Sequence, residues 1–157
     1  MELKNSAKRV QDVLEKFGYE LTVKQYPAST RTAKDAAEAI GCSEKMIAKS
    51  LIFKGEKSGD PILIIASETN RVNEKAVARI IDEKLLRANA DFVFEKTGFK
   101  IGGIPPVGHK DAILTLIDED LLKLDEIWAA AGTPNAVFRL SPEILLKIID
   151  GKVISIK

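Results

Sequence analysis

The chain has 157 residues, 45% of them hydrophobic and 30% charged, with 24 basic side chains against 23 acidic ones. That length predicts a single domain over residues 1–157, large enough to bury a proper core. The composition argues against disorder and the near-zero net charge against a strongly basic DNA binder, while apolar runs such as residues 62–66 are far too short for a membrane span.

Residues 1–6 carry no apolar signal core, so secretion is not expected. The single Cys42 has no partner for an intramolecular disulfide, and the single histidine, His109, leaves no Cys/His cluster for a metal. A reducing, cytoplasmic setting is expected, with no metal or organic cofactor.

In chain order, residues 7–17 read as an amphipathic helix, with Val10, Val13, Leu14 and Phe17 on one stripe and Gly18 as its stop. Residues 20–26 alternate like a strand. Residues 32–40 form an alanine-rich helix ended by Gly41, and Ser43 is placed to cap a further turn over 44–48. Residues 49–54 and 61–66 read as two strands of a hairpin around the polar turn 55–60. Asn73 opens a helix through Ile81, a short strand covers 85–87, and a helix over 90–97 stops at Gly98. A strand follows at 112–117, then a hairpin of 126–131 with 136–140 across residues 132–135. Ser141 and Pro142 mark a strong helix start. That helix runs to Gly151, and 153–156 form a last strand. Helices and strands alternate irregularly, without repeated βαβ winding, which predicts an α+β fold with a mixed sheet. Neither a GxGxxG at a strand–helix junction nor a P-loop is present.

The densest signal is the segment 98–109, with four glycines and two prolines in twelve residues. Glycine allows positive φ and close approach, whereas proline fixes φ and removes a donor. A loop free at Gly102 and Gly103 and braced at Pro105 and Pro106 can hold bare amides at set positions. It can equally be a tight turn. Lys49 is the second signal. In a strand it shares a face with Leu51 and Phe53, so its ammonium can stand over a pocket floor and meet a phosphate or an ester. It can also simply snorkel to water.

Other candidates have plainer readings beside them. His109, after Gly108, could move a proton near neutral pH, or be structural. Cys42 and His109 could form a nucleophile pair, though a bystander thiol is the simpler expectation. Arg71, Lys75 and Arg79 recur every four residues on one side of a predicted helix and could meet phosphates or water. Asp118, Glu119 and Asp120 could suggest a metal, yet Asp118 suits a cap before Leu121.

Taken in order, these pieces resemble the YbaK/ProX-type aminoacyl-tRNA deacylases, which are related to the editing domain inserted in bacterial prolyl-tRNA synthetases. The matching segments are TAKDAA at 32–37, IAKSLIF at 47–53, ILIIA at 62–66, TG at 97–98, GGIPPVG at 102–108, ID at 117–118 and LSPEIL at 140–145. They span roughly residues 20–156. The resemblance implies a strongly bent, barrel-like mixed sheet surrounded by helices. It implies hydrolysis of the ester joining a wrong, small amino acid (alanine, serine or cysteine) to the 3′-terminal adenosine of a tRNA for proline or a related tRNA. Within that family pattern the key lysine is Lys49, the glycine–proline loop is Gly102, Gly103, Ile104, Pro105 and Pro106, and Tyr26 is the aromatic residue lining the pocket. Gly102, Gly103 and Ile104 would donate N–H groups to a tetrahedral oxyanion, with Lys49 supplying positive charge and water as the nucleophile. Leu51, Phe53, Pro105, Pro106, Gly108 and His109 would contribute to substrate binding. Many relatives have a small polar residue where this chain has Pro105, which offers neither an N–H nor a hydroxyl. The implied partners are the acceptor end of mischarged tRNA and an aminoacyl-tRNA synthetase, with no DNA and no membrane. The alternative is a non-catalytic module that binds a tRNA 3′ end or an aminoacyl adenosine.

Overall fold

The computed structural model describes residues 5–27 and 32–157. The terminal residues 1–4, part of the segment read above for a signal core, lie outside the described residues. Among the described residues, five α-helices and eight strands follow one another in an α+β order: α1 (Asn5–Glu15), β1 (Val23–Gln25), α2 (Ala33–Ile40), β2 (Ile47–Gly55), β3 (Pro61–Ser67), α3 (Glu74–Ile81), β4 (Leu85–Arg87), α4 (Ala90–Thr97), β5 (Leu114–Asp118), β6 (Ile127–Ala130), β7 (Ala136–Leu140), α5 (Pro142–Ile148) and β8 (Gly151–Ile154). Among the described residues, no helix is long and apolar enough to cross a membrane.

The helices form where their end chemistry says they should. Thr32, Asn73, Asn89 and Ser141 each accept a hydrogen bond from a first-turn amide, and Pro142 occupies the first helical position, where its missing N–H costs nothing. Gly41 and Gly98 end α2 and α4 with φ of 86° and 80°, a conformation that disfavours any side chain. The apolar stripe of α1 buries Ala7, Val10 and Leu14 completely, at helical spacing.

The strands join one mixed sheet in the order β1-β7-β6-β2-β3-β5-β8, with β4 paired to β2 off that path. The β2–β3 and β6–β7 hairpins are antiparallel as expected, while β2–β6, β3–β5 and β5–β8 are parallel. Period-2 alternation divides the core between the two faces. Leu63 and Ile65 pack with α1 and α5 in one cluster; Ile62, Ile64 and Ala66 pack with Val77 of α3 in the other.

Several boundaries differ from the sequence-based expectation. Ser43 makes no side-chain cap, and the turn after it is a single 3-10 turn, Glu44–Met46. Ile47 and Ala48 belong to β2 instead, because ladder partners on both edges outweigh one helical turn. The first strand shrinks to Val23–Gln25, the length over which β7 pairs with it. The last strand begins at Gly151 rather than Val153. There a Cβ would stand 2.9 Å from Ile117 Cδ1, so glycine lets the strand close onto β5.

Asp118 acts beyond its expected role. Its carboxylate accepts from the Asp120 amide at 2.9 Å, the cap read from sequence, but also from the Ser67 amide at 3.0 Å and Asn70 Nδ2 at 2.8 Å. It is fully buried. Asn70 also donates to Asp120 at 2.8 Å, and Asp120 pairs with Lys123 and Lys157. Lys157, Lys123 and Asn70 together hold the Asp120 carboxyl well below the usual carboxylate range. The hub ties the end of β5 to the segment after β3. Replacing Asp118 with alanine strands the buried Ser67 amide and the part-buried Asp120 amide and leaves Asn70 with Asp120 alone, so Asp118→Ala is expected to cost about 3 kcal/mol in urea denaturation. A loss within about 0.5 kcal/mol, the range of ordinary surface substitutions, would refute the hub.

Candidate functional site

Strand β2 has one complete edge and one interrupted edge. From Ala48 to Lys54 it pairs with β3. On the opposite edge Ile47 and Ala48 pair with Trp128 and Ala129 of β6, and Phe53, Lys54 and Gly55 pair with β4. Among the described residues, Lys49, Ser50, Leu51 and Ile52 have no ladder partner there. The sheet therefore contains a window four residues long. Alternate residues of a strand turn both polar groups to one side. Glu68 N–H donates to Ile47 O and Gly55 N–H to Asp60 O, both at 2.9 Å, so the odd-numbered residues of β2 face β3. Ser50 and Ile52 consequently turn their N–H and C=O groups into the window.

The glycine–proline loop stands at the far side of this window. In a continued β2–β6 register Gly132 would come level with Leu51. Its N–H donates instead to Gly103 O at 2.9 Å. The loop is pressed onto the turn at 132–135: a Cβ on Gly103 would lie 2.7 Å from Thr133 Cα, and one on Gly102, where φ is 95°, would lie 3.7 Å from Pro134 Cγ. Lys110 N–H closes the loop on Thr97 O at 3.1 Å, and Arg9 donates to Gly98 O at 2.8 Å while lying over the Phe99 ring. The loop is thus a fixed wall. Gly103 N–H is engaged by Lys100 O at 3.1 Å; among the described residues the amides of Gly102 and Ile104 have no hydrogen-bond partner. Ile104 is only 4% exposed.

Tyr26 comes to the same turn from β1. Its N–H donates to Asn135 O at 2.8 Å, and Asn135 Nδ2 donates to Tyr26 O at 2.7 Å. Tyr26 and the loop are therefore both fastened to residues 132–135, although 76 positions separate Tyr26 from Gly102 in the chain.

Lys49 is half-buried at the head of the window and pairs with Ala66. Together with Leu51 it lines a cavity of about 430 Å³ whose other wall is the segment 68–74. No loop residue lines that cavity. Lys49 is rooted on the sheet face of Ile64 and Ala66, whereas Ile104 and Val107 of the loop pack with Leu63 and Ile65 on the other face. The two can meet only through the window. Arg71 also lines this cavity, but it precedes Asn73, the cap of α3. It therefore leaves the helical row expected with Lys75 and Arg79, because the helix starts after it.

The remaining candidates take structural positions. Phe53 packs against the cluster under α3. Pro105 and Pro106 are buried, and Gly108 has φ of 80° against Val13. His109 Nε2 lies 2.6 Å from Pro105 O; burial pushes its imidazole below the ordinary range, partly offset by that carbonyl. Burial, then the Glu126 carboxylate, pushes the Cys42 thiol up, away from a reactive thiolate. Among the described residues no group of His, Cys, Asp and Glu could hold a metal. Sequence reasoning overlooked Ser50 and Trp128, whose Oγ and Nε1 are buried and, among the described residues, without a hydrogen-bond partner. Nothing local marks Ser50, since both its open main-chain edge and the burial of its hydroxyl depend on distant segments.

Two outcomes follow for the loop. Gly103→Ala forces methyl against backbone and is expected to destabilise by about 1–3 kcal/mol, read as a lowered melting temperature; an unchanged one would count against the docking. His109, depressed in the fold, binds a proton more readily when unfolded. Its support is full above the ordinary pKa of about 6.5 and is lost as pH falls through that value toward the lower native one. His109→Gln should flatten the fall of stability below about pH 6.5 in denaturation series; identical slopes would contradict this.

Comparison with known proteins agrees with this architecture. The model of the family described as aminoacyl-tRNA editing domain matches residues 27–148. A solved structure described as a candidate trans-editing enzyme for prolyl tRNA synthetase is 46% identical, with a TM-score of 0.94 over 99% of both chains. The uncharacterized protein YwhH of Bacillus subtilis is 32% identical over 94% of each chain. A proline–tRNA ligase of Thermodesulfovibrio yellowstonii is 36% identical over 54% of this chain but 14% of its own length. The chain belongs to the aminoacyl-tRNA editing domain family, and its enzymatic class is that of the aminoacyl-tRNA deacylases.

Proposed function

We propose that the protein removes a small, wrongly attached amino acid from a tRNA for proline or a related tRNA, acting in trans, and that the window beside β2 is where the ester is cleaved. The observation that carries this reading is the interruption of the β2 edge between β6 and β4, with Lys49 at its head and the loop bonded through Gly103 O to Gly132, just past the end of β6. An aminoacyl ester on a terminal adenosine is flat at the carbonyl and anionic at the neighbouring phosphate. A gap between strands accepts the first, and a half-buried ammonium attracts the second.

In this mechanism water adds to the ester carbon and the carbonyl oxygen becomes an oxyanion. The amides of Ile104 and Gly102 stabilise it, because fixed donors in a water-poor site need no reorganisation as charge develops. Gly103 contributes through its carbonyl, by holding the loop to Gly132. The acyl–oxygen bond then breaks. The adenosine 3′-oxygen takes a proton, helped by the neighbouring 2′-hydroxyl, and the free amino acid leaves. Lys49 holds the terminal phosphate or the ester. Tyr26, Leu51 and the buried Pro105 and Pro106 bound the space for the side chain, which limits it to small amino acids. The whole chain, residues 1–157, acts as one editing domain in the cytoplasm, where charged tRNA is available. Its near-neutral charge suits contact limited to the acceptor end, with a prolyl-tRNA synthetase as the protein it works beside.

Lys49→Ala is expected to abolish deacylation of alanyl-, seryl- and cysteinyl-tRNA for proline while leaving the melting temperature unchanged. The check is release of labelled amino acid from a panel of mischarged tRNAs. Retained turnover on every substrate that the wild type cleaves would overturn the role of Lys49. Binding without cleavage by the wild type would favour a non-catalytic module instead.

A further inference from the structure

Resting on the site reading above, we infer that Ser50 contacts the substrate, its hydroxyl and main-chain carbonyl accepting hydrogen bonds from the α-ammonium group of the aminoacyl ester. Three independent features converge on this residue. Its Oγ is buried and, among the described residues, without a partner. Its carbonyl belongs to the open edge of β2, with no ladder partner there. Its side chain stands opposite Ile65, on the face of the sheet where Ile104 and Val107 of the loop pack.

A buried hydroxyl inside a strand nearly always finds an acceptor, because desolvation otherwise goes unrepaid. An alanine at position 50 would fill almost the same space without that penalty. The orphan group is therefore matched to a ligand. The ligand's own inventory selects which part. The ester carbonyl and its oxyanion are acceptors, and in the mechanism proposed above they are met by the amides of Gly102 and Ile104, which among the described residues have no hydrogen-bond partner. The α-carbon next to that carbonyl carries an ammonium, which has only hydrogens to offer. Ser50 supplies two acceptors on the opposite side. Ammonium and carbonyl of one amino acid then lie along a strand edge, as one residue of an added strand would. This arrangement demands a free amino group, so it excludes N-blocked aminoacyl ends.

The test compares Ser50→Ala and Ser50→Thr with the wild type on alanyl-tRNA and N-acetylalanyl-tRNA for proline, together with melting temperatures. Ser50→Ala should melt no lower than the wild type, yet lose about 10- to 100-fold in kcat/KM on alanyl-tRNA, as expected for a hydrogen bond to a charged group. Ser50→Thr should recover most of that loss. The wild type should cleave the N-acetylated ester at least about tenfold more slowly, and Ser50→Ala should narrow that difference. A purely structural serine would move stability and activity together. Unchanged kcat/KM in Ser50→Ala, or equal wild-type rates on the free and acetylated esters, would overturn the assignment while leaving the deacylase reading intact. A wild type that cleaves none of the alanyl-, seryl- and cysteinyl-tRNAs would overturn both.

Discussion

The pairing of β2 governs the rest of the molecule. One edge is fully satisfied by β3, and that antiparallel ladder fixes which face each side chain takes. The other edge is satisfied only at its ends, by β6 near Ala48 and by β4 near Lys54. An interior strand normally pairs every amide and carbonyl, so it is costly to leave open the two residues, Ser50 and Ile52, whose polar groups turn into the window. The cost is offset by what lies on either side. β3 is almost entirely buried, and both hydrophobic clusters grip it.

The same pairing decides which face each candidate segment takes. Lys49 and the glycine–proline loop belong to opposite faces, and a continuous sheet would keep them apart. In the proposed mechanism a ligand would reach both by lying in the window. Its far wall is built by substitution: Gly132 gives its N–H to Gly103 rather than to a neighbouring strand. Arg9 of α1 and the closure between Thr97 and Lys110 then hold the loop in one shape. Preorganisation of this kind lets amides stabilise charge without first being reoriented.

Beyond the window, a polar network shapes the wall opposite Lys49. Asp118 is buried by β5 and reaches back to Ser67 and Asn70, at the start of the segment that lines the cavity with Arg71. The carboxylate that caps a turn in sequence terms also positions residues about fifty places earlier. Arg71 shows the limit of spacing arguments. Its interval from Lys75 and Arg79 looked helical, but Asn73 starts the helix two residues later and leaves Arg71 in the cavity wall.

Local chemistry made much of this protein readable from its sequence. Caps at Asn73 and Ser141, stops at Gly41 and Gly98, and the polar turn between β2 and β3 act within a few residues, so they survive in any tertiary setting. The order of weak motifs was enough to indicate the family, and with it Lys49 and the loop as residues to examine. Tertiary structure alone decided the short first strand, the parallel pairings of β2, β3 and β5, and the docking of Tyr26 and the loop on one turn. These depend on partners far along the chain. Ser50 is the clearest case. In sequence it is an ordinary serine after a lysine; the missing strand leaves its carbonyl without a ladder partner, and the packing around its face leaves its hydroxyl, among the described residues, without an acceptor.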